Sequence, residues 1–187
     1  MDFCHLSIPD LIVIKPDVYG DNRGWFSETY SYQKYKENGI ECIFVQDNQS
    51  FSAFKNVFRG IHFQKEPYAQ SKLVRCVRGG ILDIAVDLRK GSPTYLKWET
   101  TELSAQNMHQ LFIPKGFGHA FLTLEDNCEV CYKVDAPYDK SSDRSILATD
   151  PQINLDLGVD IASLIRSQKD IFAPLLSDSD CNFTYTK

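Results

Sequence analysis

The sequence predicts a mainly β chain folded as a sandwich or jelly roll, and three observations carry that expectation. Twelve Phe and nine Tyr, with many Val and Ile, favour strands, because such side chains fill a pleated, half-buried surface. Apolar runs are short and recur at near-regular spacing along the chain. Between them lie compact turn signals, Gly20-Asp21-Asn22-Arg23-Gly24, Gly79-Gly80, Gly91-Ser92-Pro93 and Lys115-Gly116-Phe117-Gly118, rich in the residues that turns require.

Taken in order, the expected strands are Leu11–Ile14, Ile43–Gln46, Lys72–Val77, Ile81–Leu88, Tyr95–Glu102, Gln110–Ile113, Ala120–Leu124 and Glu129–Val134. Gly79-Gly80 reads as a tight hairpin turn between the third and fourth. On the second arm Leu82, Ile84, Val86 and Leu88 alternate against Ile81, Asp83, Ala85 and Asp87, and on the first Lys72 shares a face with Val74 and Cys76. A Lys on an apolar strand face either reaches out from an edge, the commoner case, or sits in a cavity with a task. Helices are expected at Tyr32–Asn38 and Ile161–Arg166, with a further helical segment over Ser167–Leu176. No repeat or low-complexity linker interrupts the chain, and residues 1–187 suit one domain able to bury a core.

The formal charge of −5 argues against a nucleic-acid binder with a broad basic face, but leaves room for a small anionic ligand in a basic pocket. No apolar run approaches the roughly 20 residues of a membrane span. Met1-Asp2-Phe3-Cys4-His5 does not open like a signal peptide, so a cytoplasmic protein is expected. Six cysteines are then read as free thiols.

Three clusters carry polar chemistry. In Arg59-Gly60-Ile61-His62-Phe63-Gln64, read as a strand, Arg59 and Ile61 face one way and Gly60 and His62 the other. His62 is the side chain suited to proton exchange near neutrality, although a lone strand His is more often structural. Ile113 to Phe121 reads as a Gly-rich turn feeding a strand that opens with His119; a plain hairpin is the simpler alternative. Val45-Gln46-Asp47-Asn48-Gln49-Ser50 follows an apolar strand, with Gln46 and Asn48 on one face as a hydroxyl-rich ligand requires; the start of a loop reads equally well. Cys128-Glu129-Val130-Cys131 looks like half a zinc site, but residues three apart on a strand point to opposite faces. No His-x-His occurs, so no metal is expected.

In sequence order, Asp21 to Glu28, Val45 to Ser50, Phe58 to Gln64, Lys72 to Gly79, Gly91 to Thr94, Glu102 to Ala105, Pro114 to Phe121 and Tyr132-Lys133 resemble the dTDP-4-dehydrorhamnose 3,5-epimerase family. The match runs from about Ile8 to Leu176. The resemblance implies a cupin-type jelly roll, a homodimer, no cofactor, and inversion of C3 and C5 in a dTDP-linked 4-keto-6-deoxy sugar on the way to dTDP-L-rhamnose. It also implies roles: His62 the general base, Tyr132 the general acid, Lys72 opposite the C4 oxygen, and Asp170 orienting the base. Arg23, Phe26, Glu28, Gln46, Asn48, Arg59 and His119 match substrate-contacting positions. Tyr138 lies where the family stacks the base, and Asp143 where a Glu is commoner.

The chemistry agrees with those roles. A C4 ketone acidifies C3–H and C5–H, and inversion needs a base on one face and an acid on the other. Ala148 departs from the family's usual Trp, and Asn154-Leu155-Asp156-Leu157 from its Gly-Ile-Asp-Trp. Alternatives on the same fold are a single-centre epimerase, a sugar-nucleotide 3,4-ketoisomerase and a non-catalytic binding paralogue.

Overall fold

Thirteen strands carry the chain in the computed structural model, which describes residues 1–186. They are β1 (Asp2–His5), β2 (Ile12–Lys15), β3 (Tyr19–Asp21), β4 (Gly24–Phe26), β5 (Gln46–Ser52), β6 (Phe58–Gln64), β7 (Lys72–Arg78), β8 (Gly80–Asp87), β9 (Trp98–Ser104), β10 (Gln110–Ile113), β11 (Phe117–Thr123), β12 (Cys128–Val134) and β13 (Asp143–Ser145). Two short α-helices join them, α1 (Tyr32–Glu37) and α2 (Gln168–Ile171). No helix among the described residues is long and apolar enough to cross a membrane.

The strands form two main antiparallel sheets, ordered β1-β2-β10-β7-β12-β5 and β13-β6-β11-β8-β9, with β3 and β4 as a separate two-stranded ribbon. Strands β5 to β12 thus give β5-β12-β7-β10 facing β6-β11-β8-β9, the double Greek key of a jelly roll. The expected class holds.

Alternation along each strand decides what the sheets enclose. Val74, Cys76, Leu111, Ile113 and Val130 of the six-stranded sheet meet Ile81, Ala85, Phe117 and Phe121 of the five-stranded one. Behind the five-stranded sheet, Phe58, Ile61, Phe63, Ile84 and Val86 pack against Ile146, Ala148, Ile153, Leu155 and Leu164 of the C-terminal segment. Ala148 and Leu155, both departures from the family pattern, therefore alter packing behind the sheet, not the interior. On the far side, Tyr35 of α1 and Ile40 cover Ile12, Ile14, Leu73 and Phe112. Each such side chain, fully buried, contributes about 1.5–3 kcal/mol.

Several expectations need correction. Residues 43–45 are not strand: Ile43 and Val45 are exposed, and the strand begins at Gln46. The polar run Gln46–Ser52 is itself the strand, and its outward Asp47, Gln49 and Phe51 show why apolar content misled. Gly79 does not close a hairpin, because β7 and β8 belong to opposite sheets and the chain crosses between them there. Helix Ile161–Arg166 shrinks to a 3-10 turn at Ile161–Ser163, and Ser167–Leu176 to α2 and a 3-10 turn at Leu176–Asp178.

The largest correction lies in β6. His62 pairs with His119 but Arg59 pairs with Phe121, so three steps on β6 match two on β11. This bulge turns both Arg59 and His62 to the interior and sends Ile61 into the outer core, against the simple alternation expected. Gly60 makes it possible. Its φ is +138°, and a Cβ there would lie 2.3 Å from the Ala120 Cβ, so only glycine fits.

Candidate active site

The polar end of the barrel interior is a cleft of about 170 Å³ lined by Gln46, Asn48, His62, Lys72, Tyr132, Tyr138 and Asp143, among others. Its two walls come from different sheets. His62 projects from β6 of the five-stranded sheet, while Tyr132 and Lys72 project from β12 and β7 of the six-stranded sheet. A ligand between them would meet an imidazole on one side and a phenol on the other.

His62 is anchored from behind. Its Nε2 lies 2.5 Å from Asp170 Oδ1, with the Asp170 side chain 3% exposed and that of His62 32% exposed. Helix α2 holds the carboxylate in place: Ser167 caps it and accepts the Asp170 backbone N–H. Burial raises the Asp170 carboxyl, but the hydrogen bond and charge of His62, aided by Ser167 and the Gly60 backbone, hold it below the usual carboxylate range. The carboxylate therefore fixes the ring's orientation and supports an imidazolium.

On the facing wall, burial raises the Tyr132 hydroxyl above its ordinary value despite the opposing charge of Arg59. It stays a protonated donor through the neutral range. Lys72 Nζ lies 5.9 Å from the Tyr132 ring centroid and 3.5 Å from His119 Nδ1. Burial pulls Lys72 down to about 8, against the pull of Asp83 and Asp143, so the ammonium persists at neutral pH. This settles the choice left open by the strand pattern: Lys72 is a cavity lysine.

His119 stands behind Lys72, its Nε2 2.7 Å from Asp83 Oδ1. Gln46 and Asn48 share the inward face of β5 and are hydrogen-bonded, Nε2 to Oδ1, at 2.8 Å. Gln46 Oε1 also accepts the Tyr138 backbone N–H. The Tyr138 hydroxyl donates to Asp143, which Lys169 engages at 2.6 Å. Arg59 points inward too, tied to Ser52 Oγ and the Phe51 carbonyl.

Ten of the thirteen expected site residues are thus gathered in or directly behind this cleft. Arg23, Phe26 and Glu28 are not. They belong to the exposed ribbon and the segment after it, where Arg23 pairs with Asp21 and Glu28 with Lys34. Phe26 and Glu28 instead line a separate cleft with Tyr19 and Lys34. Sequence reasoning missed Gln64, Gln70 and Asp83. Gln64 follows His62 by two on the same strand, and Asp83 was a carboxylate between Ile81 and Ala85 on its strand face; both signals were present. Cys128 and Cys131 point to opposite faces as expected, and among the described residues no three His, Cys, Asp or Glu converge as metal ligands would.

Residues 5–178 match the family model described as dTDP-4-dehydrorhamnose 3,5-epimerase. A protein of that name from Sinorhizobium fredii is 44% identical over 187 residues, covering 100% of this chain and 95% of the relative. Among solved structures, the dTDP-6-deoxy-D-glucose-3,5-epimerase of Legionella pneumophila Philadelphia 1, in complex with dTDP-4-keto-L-rhamnose, superposes with a TM-score of 0.93. It is 39% identical and covers 100% of this chain and 99% of that one. A 3'-monoepimerase from Streptomyces bikiniensis, in complex with dTDP-quinovose, gives a TM-score of 0.85 at 31% identity, covering 92% and 87%.

Proposed function

This chain belongs to the dTDP-4-dehydrorhamnose 3,5-epimerase family, and on that premise we propose that its cavity inverts C3 and C5 of dTDP-4-keto-6-deoxyglucose. The protein is an epimerase, an isomerase acting on a nucleotide-linked sugar. The observation that carries the mechanism is the placement of His62 and Tyr132 on opposite walls.

His62, held through Nε2 by Asp170, removes the proton from C5 with its other ring nitrogen. The C–H electron pair moves onto the C4 oxygen, giving an enolate. Lys72 stabilises that oxygen as its charge develops, a preorganised contribution that is commonly the largest one in such reactions. Tyr132 then donates its proton to the opposite face of the carbon and the configuration inverts. Solvent reprotonates the phenolate and takes the proton from His62, and the same cycle acts at C3. Positioned proton transfer of this kind is worth roughly a hundred- to ten-thousandfold in rate.

Arg59 takes the diphosphate through forked hydrogen bonds, Gln46 and Asn48 the sugar and nucleoside hydroxyls, and Tyr138, 58% exposed at the cavity mouth, the base. The protein works as a cytoplasmic homodimer in which Arg23, Phe26 and Glu28 of the ribbon region complete the cleft of the second copy; Trp25 and Phe26, both bare in one chain, support that reading. The product feeds dTDP-L-rhamnose synthesis. Incubation with dTDP-4-keto-6-deoxyglucose in D2O, read by NMR at each ring carbon, tests the activity. Label at both C3 and C5 is expected. Label at one carbon alone makes it a single-centre enzyme, and none with substrate bound overturns the reading.

A further inference from the structure

We propose that Asp83, acting through His119, is a positioning residue for the reaction: it fixes the His119 ring as a hydrogen-bond acceptor that aims the Lys72 ammonium at the substrate's C4 oxygen. The inference rests on the role given to Lys72 above and deepens it.

The geometry admits a restricted set of proton placements. The Asp83 side chain is fully buried, and its Oδ1 sits 2.7 Å from His119 Nε2. An ionised carboxylate only accepts, so Nε2 carries a proton. On the other side of the ring, Nδ1 lies 3.5 Å from Lys72 Nζ. An ammonium only donates, so Nδ1 must offer its lone pair. His119 is then the neutral Nε2–H tautomer, and burial, which lowers its proton affinity, agrees. The result is an anion and a cation joined by one neutral ring. Each takes its direction from that ring.

The remaining charges around Lys72 do not replace Asp83. Tyr132 on β12 is neutral, and Arg59 and His62 on β6 carry either the wrong sign or a task of their own. Asp143 on β13 is engaged by Lys169 from α2 and by Tyr138. Asp83 is the largest source of attraction for the ammonium, ahead of Asp143. Its second oxygen, Oδ2, has no partner among the described residues, so no other protein donor competes with His119 for its charge.

Asp83→Asn tests this with almost no change in shape. An amide has no charge and can donate to Nε2, which turns Nδ1 into an N–H facing the ammonium, donor against donor. Removing the outer-shell partner of a metal ligand typically costs roughly ten- to a hundredfold, and a loss of that order is expected here in kcat with KM nearly unchanged. The basic limb of the kcat profile should also move to lower pH by about one unit or more, which a purely structural role would not cause. An unchanged limb with native kcat overturns the proposal. If Asp83→Asn does not fold, His119→Gln and His119→Leu decide: Gln can accept from Lys72 and donate to Asp83, so it should keep at least tenfold more activity than Leu, and equal activity overturns the proposal. Lys72→Met separates the two levels. If it retains turnover, the role of Lys72 itself fails; if it abolishes turnover while Asp83→Asn is silent, only the present inference does.

Discussion

Two histidines sit side by side in one sheet, each paired with an aspartate, and the pairs differ in what lies on the far side of the ring. His62 on β6 and His119 on β11 are direct cross-strand partners, and each holds a carboxylate through Nε2, at 2.5 and 2.7 Å. Asp83 comes from the adjoining strand β8 and its pair is sealed, with side chains 8% and 0% exposed. Asp170 comes from α2, outside the barrel, and leaves a third of the His62 side chain open to the cleft. On the proposed mechanism the His62 ring faces the substrate, while the His119 ring faces Lys72. In the proposed account the same two residue types serve as a proton exchanger where the ring opens to the cleft and as an aiming device where the pair is sealed.

The bulge that brings the two rings together is the point of greatest sensitivity. Gly60→Ala would force a Cβ to 2.3 Å from that of Ala120 in a backbone conformation L-residues rarely adopt. A loss of about 4 kcal/mol or more is expected, seen as insoluble protein or a collapsed melting temperature; a native melt would mean the register does not depend on Gly60. A finer comparison sets His62→Gln against His119→Gln. The first should lower kcat by about a hundred- to ten-thousandfold with substrate binding intact, the second distinctly less, and equal losses would erase the distinction between the pairs.

Stability should move the other way at Lys72. Its folded value of about 8 lies below the ordinary 10.5, so the folded chain holds a proton it binds poorly. That cost is complete below about pH 8, shrinks as pH rises toward 10.5, and is on the order of 3 kcal/mol. Lys72→Met should therefore stabilise the protein to urea at pH 7 by that order while abolishing turnover, with the gain vanishing near pH 10.5. A destabilised Lys72→Met would show that the ammonium is better solvated than its surroundings indicate.

Much of this was legible in the residues. The jelly roll followed from short strands and spaced turns, and the two faces of β7 and β8 followed from alternation. What the sequence hid was non-local. The Arg59–His62 bulge exists because Gly60 presses on Ala120, a residue sixty positions away. Gly79 looked like a hairpin because a Gly pair is a strong local signal, yet which sheet each arm joins is decided by pairing with β12 and β11. Strand β5 begins three residues later than expected and runs on to Ser52 because its inward side chains are polar, serving a cavity in place of a core. Asp83 was visible as a misplaced carboxylate, but its partner depended on which strands neighbour β8.

The central claim is that inversion needs two groups on two walls, and Tyr132→Phe tests it most directly. With substrate deuterated at C5 in ordinary water, the variant should still lose the label, because His62 can remove and return a proton on its own face, while the inverted product falls to a trace. His62→Gln should lose both exchange and inversion. If Tyr132→Phe inverted at the native rate, or if His62→Gln continued to exchange, the two-wall account would be contradicted.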